Sequence, residues 1–378
     1  MKRHPKVLHI VESLDRGAVE NWLIRMMAHA HAQRVPLDWT FYCQLADIGV
    51  QENRVREMGG QIVHSPVPLG RTRAFMSALR AELSRGEYEI MHCHHDLVSS
   101  VYLIASTGLP IGRRLVHVHN ADENLPTASA TKASLLREPI RRICLSADRV
   151  IGISNHTLDT FLAGRARRAD RDLVHYYGVD PTPFIGPAPN RVAMRRSLSL
   201  ADDSLILLFG GRITPEKNPV FCVDVLAALA KVEPRAVGVF AGAGSLEEGV
   251  RRRASELGVS DRVKMIGWRS DLPSVMRASD WFILPRPEQP LEGFGLAVVE
   301  AQLAGLRMLL SLGVPDDPLL SNAAYRRLSL RAGAEAWAEA AVDLMQQSAP
   351  CERDTLSALA ESPMDMNHAL NDLLSLHE

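Results

Sequence analysis

The sequence predicts an α/β protein made of two doubly wound, Rossmann-like parallel-sheet domains facing across a cleft. Three observations predict it. The 378 residues exceed one ordinary core, at about 150 residues per domain. Short apolar runs alternate with helical patterns of roughly ten to fifteen residues, the signature of strand–helix–strand units. The alternation breaks once, in Asp180-Pro-Thr-Pro-Phe-Ile-Gly-Pro-Ala-Pro-Asn190, whose prolines and glycine read as an interdomain linker. The expected domains are therefore 1–183, completed by a C-terminal helix over 356–378, and 184–355.

In the first series, Val7 to Val11 is an apolar run, followed by a turn through Ser13, Asp15 and Gly17 and a helical pattern from Trp22 to Met27. The unit repeats as Trp39 to Cys43 before a helix near Val50 to Met58, Ile62–Val63 before Phe75 to Leu83, and Ile90 to Cys93 before Val98 to Ser106. Leu115 to Val118 and Val150 to Ile153 add strands, with a helix over Leu135 to Leu145 between them. After the linker come the strand Leu205 to Phe209, the helix Val220 to Leu229, the strand Val237 to Phe240 and the helix Leu246 to Leu257. The strand Val263 to Ile266, a helix around Leu272 to Met276 and the strand Trp281 to Leu284 complete the series, and a helical tail runs from Ala334 to Glu378. Such parallel sheets bind ligands at the carboxyl ends of their strands.

Hydrophobic content of 46% and charged content of 23% are those of a globular protein, and a formal net charge of −1 excludes a generally basic nucleic-acid binder. Positive charge nevertheless gathers at Arg137, Arg141 and Arg142 and at Arg165, Arg167, Arg168 and Arg171. These clusters suit either a solvated helix face or anionic lipid headgroups. Five cysteines without paired spacing read as buried thiols in a reducing compartment. With no signal-like or membrane-spanning run, the expected location is the cytoplasm, including the inner face of the cell membrane.

Glu292-Gly-Phe-Gly-Leu-Ala-Val-Val-Glu300 places one acid before a helix and a second about two turns into it. The glycines let backbone approach a ligand, and a helix start favours a phosphate. An acid preceding a buried amphipathic helix fits the same residues. Phe209-Gly-Gly-Arg-Ile-Thr-Pro-Glu-Lys-Asn218 follows a strand. Its Arg212 and Lys217 combine a guanidinium fork with a point charge, a set suited to a diphosphate. The spacing is neither a P-loop nor a dinucleotide fingerprint. Ala241-Gly-Ala-Gly-Ser245 is a second glycine turn. Histidines crowd two strand ends, in Met91-His-Cys-His-His95 and Val116-His-Val-His-Asn120. Zinc is disfavoured, because alternation sends neighbouring strand side chains to opposite faces and no paired ligand motif follows. Polar residues lining a cleft are expected instead, with His119 best placed to meet a substrate.

Arg212 and Lys217, then Gly242-Ala-Gly-Ser-Leu-Glu247, then Asp280 before a strand, then the Glu292/Glu300 pair, resemble family 4 glycosyltransferases in order and distance. The opening Val7-Leu-His-Ile-Val-Glu-Ser-Leu-Asp-Arg-Gly17, Ile153-Ser-Asn155 and Tyr177-Gly-Val-Asp180 are similar too. The resemblance implies a GT-B architecture, with the acceptor on the first domain and a nucleotide-sugar on the second. It further implies retention at the anomeric carbon and no cofactor or metal. Glu292 and His119 would be catalytic, and Arg212, Lys217 and Glu300 would bind the donor together with Gly211, Gly242, Gly244, Phe294, Gly295 and Leu296. Gly17, Glu20 and His94 would lie on the acceptor side. Departures stand at Ala18 for a glycine, Tyr177 for an asparagine, Arg307 for a proline, and Ser311-Leu-Gly-Val-Pro-Asp-Asp317 for a glycine-rich phosphate loop.

The expected activity is transfer from a UDP- or GDP-sugar to a saccharide acceptor, lipid-linked through a polyprenyl carrier, in bacterial surface or exopolysaccharide synthesis. A nucleotide-sugar epimerase and a non-catalytic partner subunit are the alternatives.

Overall fold

The computed structural model of the chain describes residues 5–15, 17–120, 130–187 and 190–378. The chain forms two compact units, one of residues 1–178 with 363–378 and one of 179–362. The first unit's parallel sheet contains β1 (Lys6–Val11), β2 (Asp38–Cys43), β3 (Gln61–His64), β4 (Ile90–Cys93), β5 (Arg113–Val118), β6 (Arg149–Gly152) and β7 (Asp172–Val174), in the order β3-β2-β1-β4-β5-β6-β7. The order reverses between β1 and β4, the switch point at which such sheets bind ligands.

The two faces of this sheet differ. Leu8, Ile10, Met91, Cys93, Val116 and Val118 enter one apolar core. The alternate positions His9, His92 and His117 are also fully buried, and the His117 ring meets Trp22 of the helix Ala18–Ala32 edge to face. The helix Met366–Leu376 closes this unit against helix 18–32, its start capped by Asp365, which accepts from Asn367 N and His368 N.

In the second unit, β8 (Leu205–Gly210), β9 (Ala236–Ala241), β10 (Val263–Gly267), β11 (Trp281–Leu284), β12 (Arg307–Ser311) and β13 (Tyr325–Leu328) are all parallel, in the order β10-β9-β8-β11-β12-β13. Its switch point lies between β8 and β11. The core gathers Phe209, Phe240, Trp281 and Trp337 with the buried face of the helix Pro219–Val232. The proline-rich segment contributes a turn at Thr182–Phe184 before the helix Arg191–Ser197, and the chain passes between units after Gly178. The apolar and helical patterns above do not mark strands β7, β12 and β13 or the helices Asn155–Leu162 and Arg191–Ser197. No helix among the described residues is long and apolar enough to cross a membrane.

Candidate active site

The second unit assembles its candidate residues at the carboxyl ends of β8, β9 and β11. Beyond β8, Gly211 donates its N–H to Ala241 O at 2.9 Å, locking the first glycine turn to the second. Gly242 is required there, because its φ is +139° and a Cβ would lie 1.9 Å from Gly211 O. Gly244 donates to Glu247 Oε1 at 3.0 Å.

The turn then delivers Lys217, whose Nζ lies 2.7 and 2.6 Å from the two carboxylate oxygens of Glu292. Arg286 completes the group, with Nη1 3.1 Å from Glu292 Oε2 and Nε donating to Pro290 O at 3.1 Å. Nothing in the sequence singles out Arg286. Arg212 is exposed and pairs with Glu216 at 3.2 Å, so it does not share Lys217's partner. Gly295, at φ +96°, starts the helix Leu296–Leu303, with Phe294 buried before it. Glu300 is the fifth residue of that helix, just over one turn in rather than two.

The loop after β12 differs from a phosphate cradle and braces the acid instead. Ser311 Oγ donates to Arg286 O at 2.6 Å, and Glu292 N donates to Gly313 O at 2.8 Å. Asp316 pairs with Arg327.

Burial pushes the Glu292 carboxyl up, but the charges of Lys217 and Arg286, with Arg212 further off, outweigh it and hold the group below the usual range. A carboxyl depressed on folding stabilises the native state above its unfolded value of about 4.3, and that contribution is lost as pH falls through the lower folded value. The stability difference between wild type and Glu292→Gln should accordingly be flat from about pH 5 upward and shrink in stronger acid. Urea midpoints against pH measure it, and a difference that grows on acidification contradicts the assignment.

In the first unit, Glu20 and His94 line one cavity of about 260 Å³ with Glu12, His95 and Asn120. The Glu20 carboxylate occupies the space a Cβ on Gly17 would need, 1.9 Å from Oε2. Burial, with the negative charges of Glu12 and Asp15, raises its pKa. His119 sits behind His94, with Nε2 3.0 Å from His94 Nδ1 and Nδ1 2.7 Å from the Tyr177 hydroxyl. Both its ring nitrogens are thus engaged within the unit, and Tyr177, the departure noted above, supplies one partner. The alternation argument against a shared histidine site fails here, because His92/His94 and His117/His119 are two residues apart and share a face. One ring nitrogen from each of His94, His117 and His119 lies within 4.8 Å of the others, and the same holds for His9, His92 and His94.

Residues 19–183 match the model of Glycosyltransferase Family 4, and residues 190–349 match that of Glycosyl transferases group 1. The chain belongs to the family 4 glycosyltransferases. A putative glycosyltransferase of Bacillus subtilis, EpsF, is 24% identical over 98% of this chain and 96% of its own length. The UDP-Gal:alpha-D-GlcNAc-diphosphoundecaprenol alpha-1,3-galactosyltransferase of Escherichia coli is 27% identical over 64% of this chain and 62% of its own. The D-inositol 3-phosphate glycosyltransferase of Mycolicibacterium vanbaalenii is 32% identical, and the match spans 53% of its length. Among solved structures, Anabaena HepE in complex with UDP and glucose superposes with a TM-score of 0.77 at 18% identity over 99% of both chains. The two parallel-sheet units are those of a GT-B glycosyltransferase.

Proposed function

We propose that this glycosyltransferase takes a sugar from a UDP- or GDP-sugar and passes it, with retention at the anomeric carbon and without a metal at the diphosphate, to a lipid-linked saccharide in bacterial surface or exopolysaccharide synthesis. One observation carries the reading: a buried acid, Glu292, held by Lys217 and Arg286 at a sheet switch point beside two glycine turns. Departure of a nucleoside diphosphate builds negative charge, which Lys217 and Arg212 neutralise. The backbone of Gly211, Gly242, Gly244, Phe294, Gly295 and Leu296 borders the donor, Glu300 accepts from ribose hydroxyls and Glu292 faces the donor sugar. In the first unit, Gly17, Glu20 and His94 take the acceptor, with His119 holding His94 in place. The UDP-Gal donor of the Escherichia coli relative and the UDP and glucose bound by HepE support the donor class.

Contact with an anionic membrane at the inner face of the cell fits the arginine clusters. Arg141, Arg142 and Arg165 all share the single carboxylate of Glu138. Arg142, Arg165, Arg168 and Arg171 line a depression of about 480 Å³.

Thermal-shift measurements with UDP-, GDP- and ADP-sugars test the donor assignment. A ligand at 100 times its Kd stabilises the fold by about 2.7 kcal/mol, so the correct donor raises Tm increasingly with excess. No shift with any of the three overturns the reading.

A further inference from the structure

The histidines of the first unit are arranged as metal ligands with their supports already in place. We propose that His94, His117 and His119 form a three-imidazole site for a divalent transition metal of the zinc, nickel or copper class.

Each member has one ring nitrogen held by a neighbour and the other turned to the group. His94 Nε2 is bonded to His9 Nδ1 at 3.0 Å, leaving Nδ1, which lies 3.0 Å from His119 Nε2. His119 Nδ1 is held by the Tyr177 hydroxyl at 2.7 Å. His117 Nδ1 is bonded to His92 Nε2 at 3.2 Å, while its Nε2, fully buried, has no hydrogen-bond partner among the described residues. Fixing the second nitrogen is how proteins orient histidine ligands and set their tautomer. The triple His9, His92 and His94 lacks this property, since His92 spends both nitrogens on His377 and His117.

The dimensions fit. Metal–nitrogen bonds of 2.0–2.1 Å in a tetrahedron set neighbouring nitrogens about 3.3–3.4 Å apart. The His94–His119 pair needs to open by only a few tenths of an ångström, and one ring nitrogen of His117 lies within 4.8 Å of both.

Three imidazoles with an open fourth position are an established coordination set that needs no carboxylate. Such nitrogen donors select zinc, nickel and copper over magnesium and calcium. His94 also lines the cavity of about 260 Å³ that holds Glu12 and Glu20. Occupancy would withdraw His94 from the acceptor and inhibit transfer. That consequence rests on the proposed function, whereas binding does not.

Untagged protein, stripped with chelator and desalted, is loaded with Zn²⁺ or Co²⁺, desalted again and analysed by elemental mass spectrometry and Co²⁺ visible absorption. One metal per chain is expected, with nitrogen-type cobalt bands, and no retention of Mg²⁺. His117→Gln should lose the metal with unchanged circular dichroism, and Tyr177→Phe should weaken affinity about 10–100-fold. Wild type that retains no metal overturns the proposal, as does His117→Gln that retains it, which assigns binding to other side chains. If His117→Gln does not fold, Tyr177→Phe decides, and unchanged affinity there overturns it.

Discussion

Lys217→Ala is expected to lower the rate of sugar transfer by about 10²–10³-fold while the chain stays folded. In the resting unit the ammonium caps both oxygens of Glu292, at 2.7 and 2.6 Å. Removing it leaves that carboxylate with Arg286 at 3.1 Å and with Gly313 O still fixing its backbone, so the acid is neither orphaned nor released. What disappears is a positive charge at the turn where the diphosphate is proposed to leave. A double-mutant cycle separates the two duties of Lys217. If it serves only as the partner of Glu292, Lys217→Ala costs nothing further in a Glu292→Gln background. If it neutralises the leaving group, the penalty persists there. A loss of kcat/KM below about threefold in the single variant, which is under 1 kcal/mol, would remove Lys217 from the chemistry.

How far the site could be read in advance depends on how local each contact is. Parallel strands buried on both faces are continuous apolar runs, so Leu205 to Phe209 and Trp281 to Leu284 stand out without knowledge of their partners. Strand β13 is the sequence Tyr-Arg-Arg-Leu at a sheet edge, partly exposed throughout, and carries no such signal. The glycine turns were legible because a φ of +139° at Gly242 leaves few other residues. Pairing across the fold was not. Lys217 and Glu292 are 75 positions apart in sequence, and Arg286 reaches Glu292 only because Ser311 and Gly313 fold a loop beneath both. The histidines illustrate a rule applied at the wrong interval. Adjacent residues of a strand do diverge, but His-x-His places both rings on one face, and two such strands lying side by side make a cluster.

Asp280→Ala should cost the second unit about 3–5 kcal/mol, the largest stability loss expected of a residue outside the hydrophobic core. Asp280 precedes β11 and is 9% exposed. It accepts from Ile206 N at 2.8 Å, from Arg195 Nη2 at 3.3 Å and from Arg191, tying the helix Arg191–Ser197 to β8 and β11. Arg195 is 6% exposed, and its Nε is spent on Ser204 O at 2.7 Å. Without Asp280, its guanidinium is a buried charge with no carboxylate, and the Ile206 N–H loses its side-chain acceptor. For a unit of this size the loss corresponds to a Tm drop of about 6–20 °C, read by calorimetry. Asp280→Asn keeps an acceptor for Ile206 but not the charge, and should fall between the two. Adding Arg195→Met to Asp280→Ala removes the stranded cation and should recover part of the loss, since a buried pair replaced by apolar groups is often near neutral. A double variant no more stable than Asp280→Ala would show that the loss comes from the missing Ile206 N–H acceptor and not from the stranded Arg195 cation.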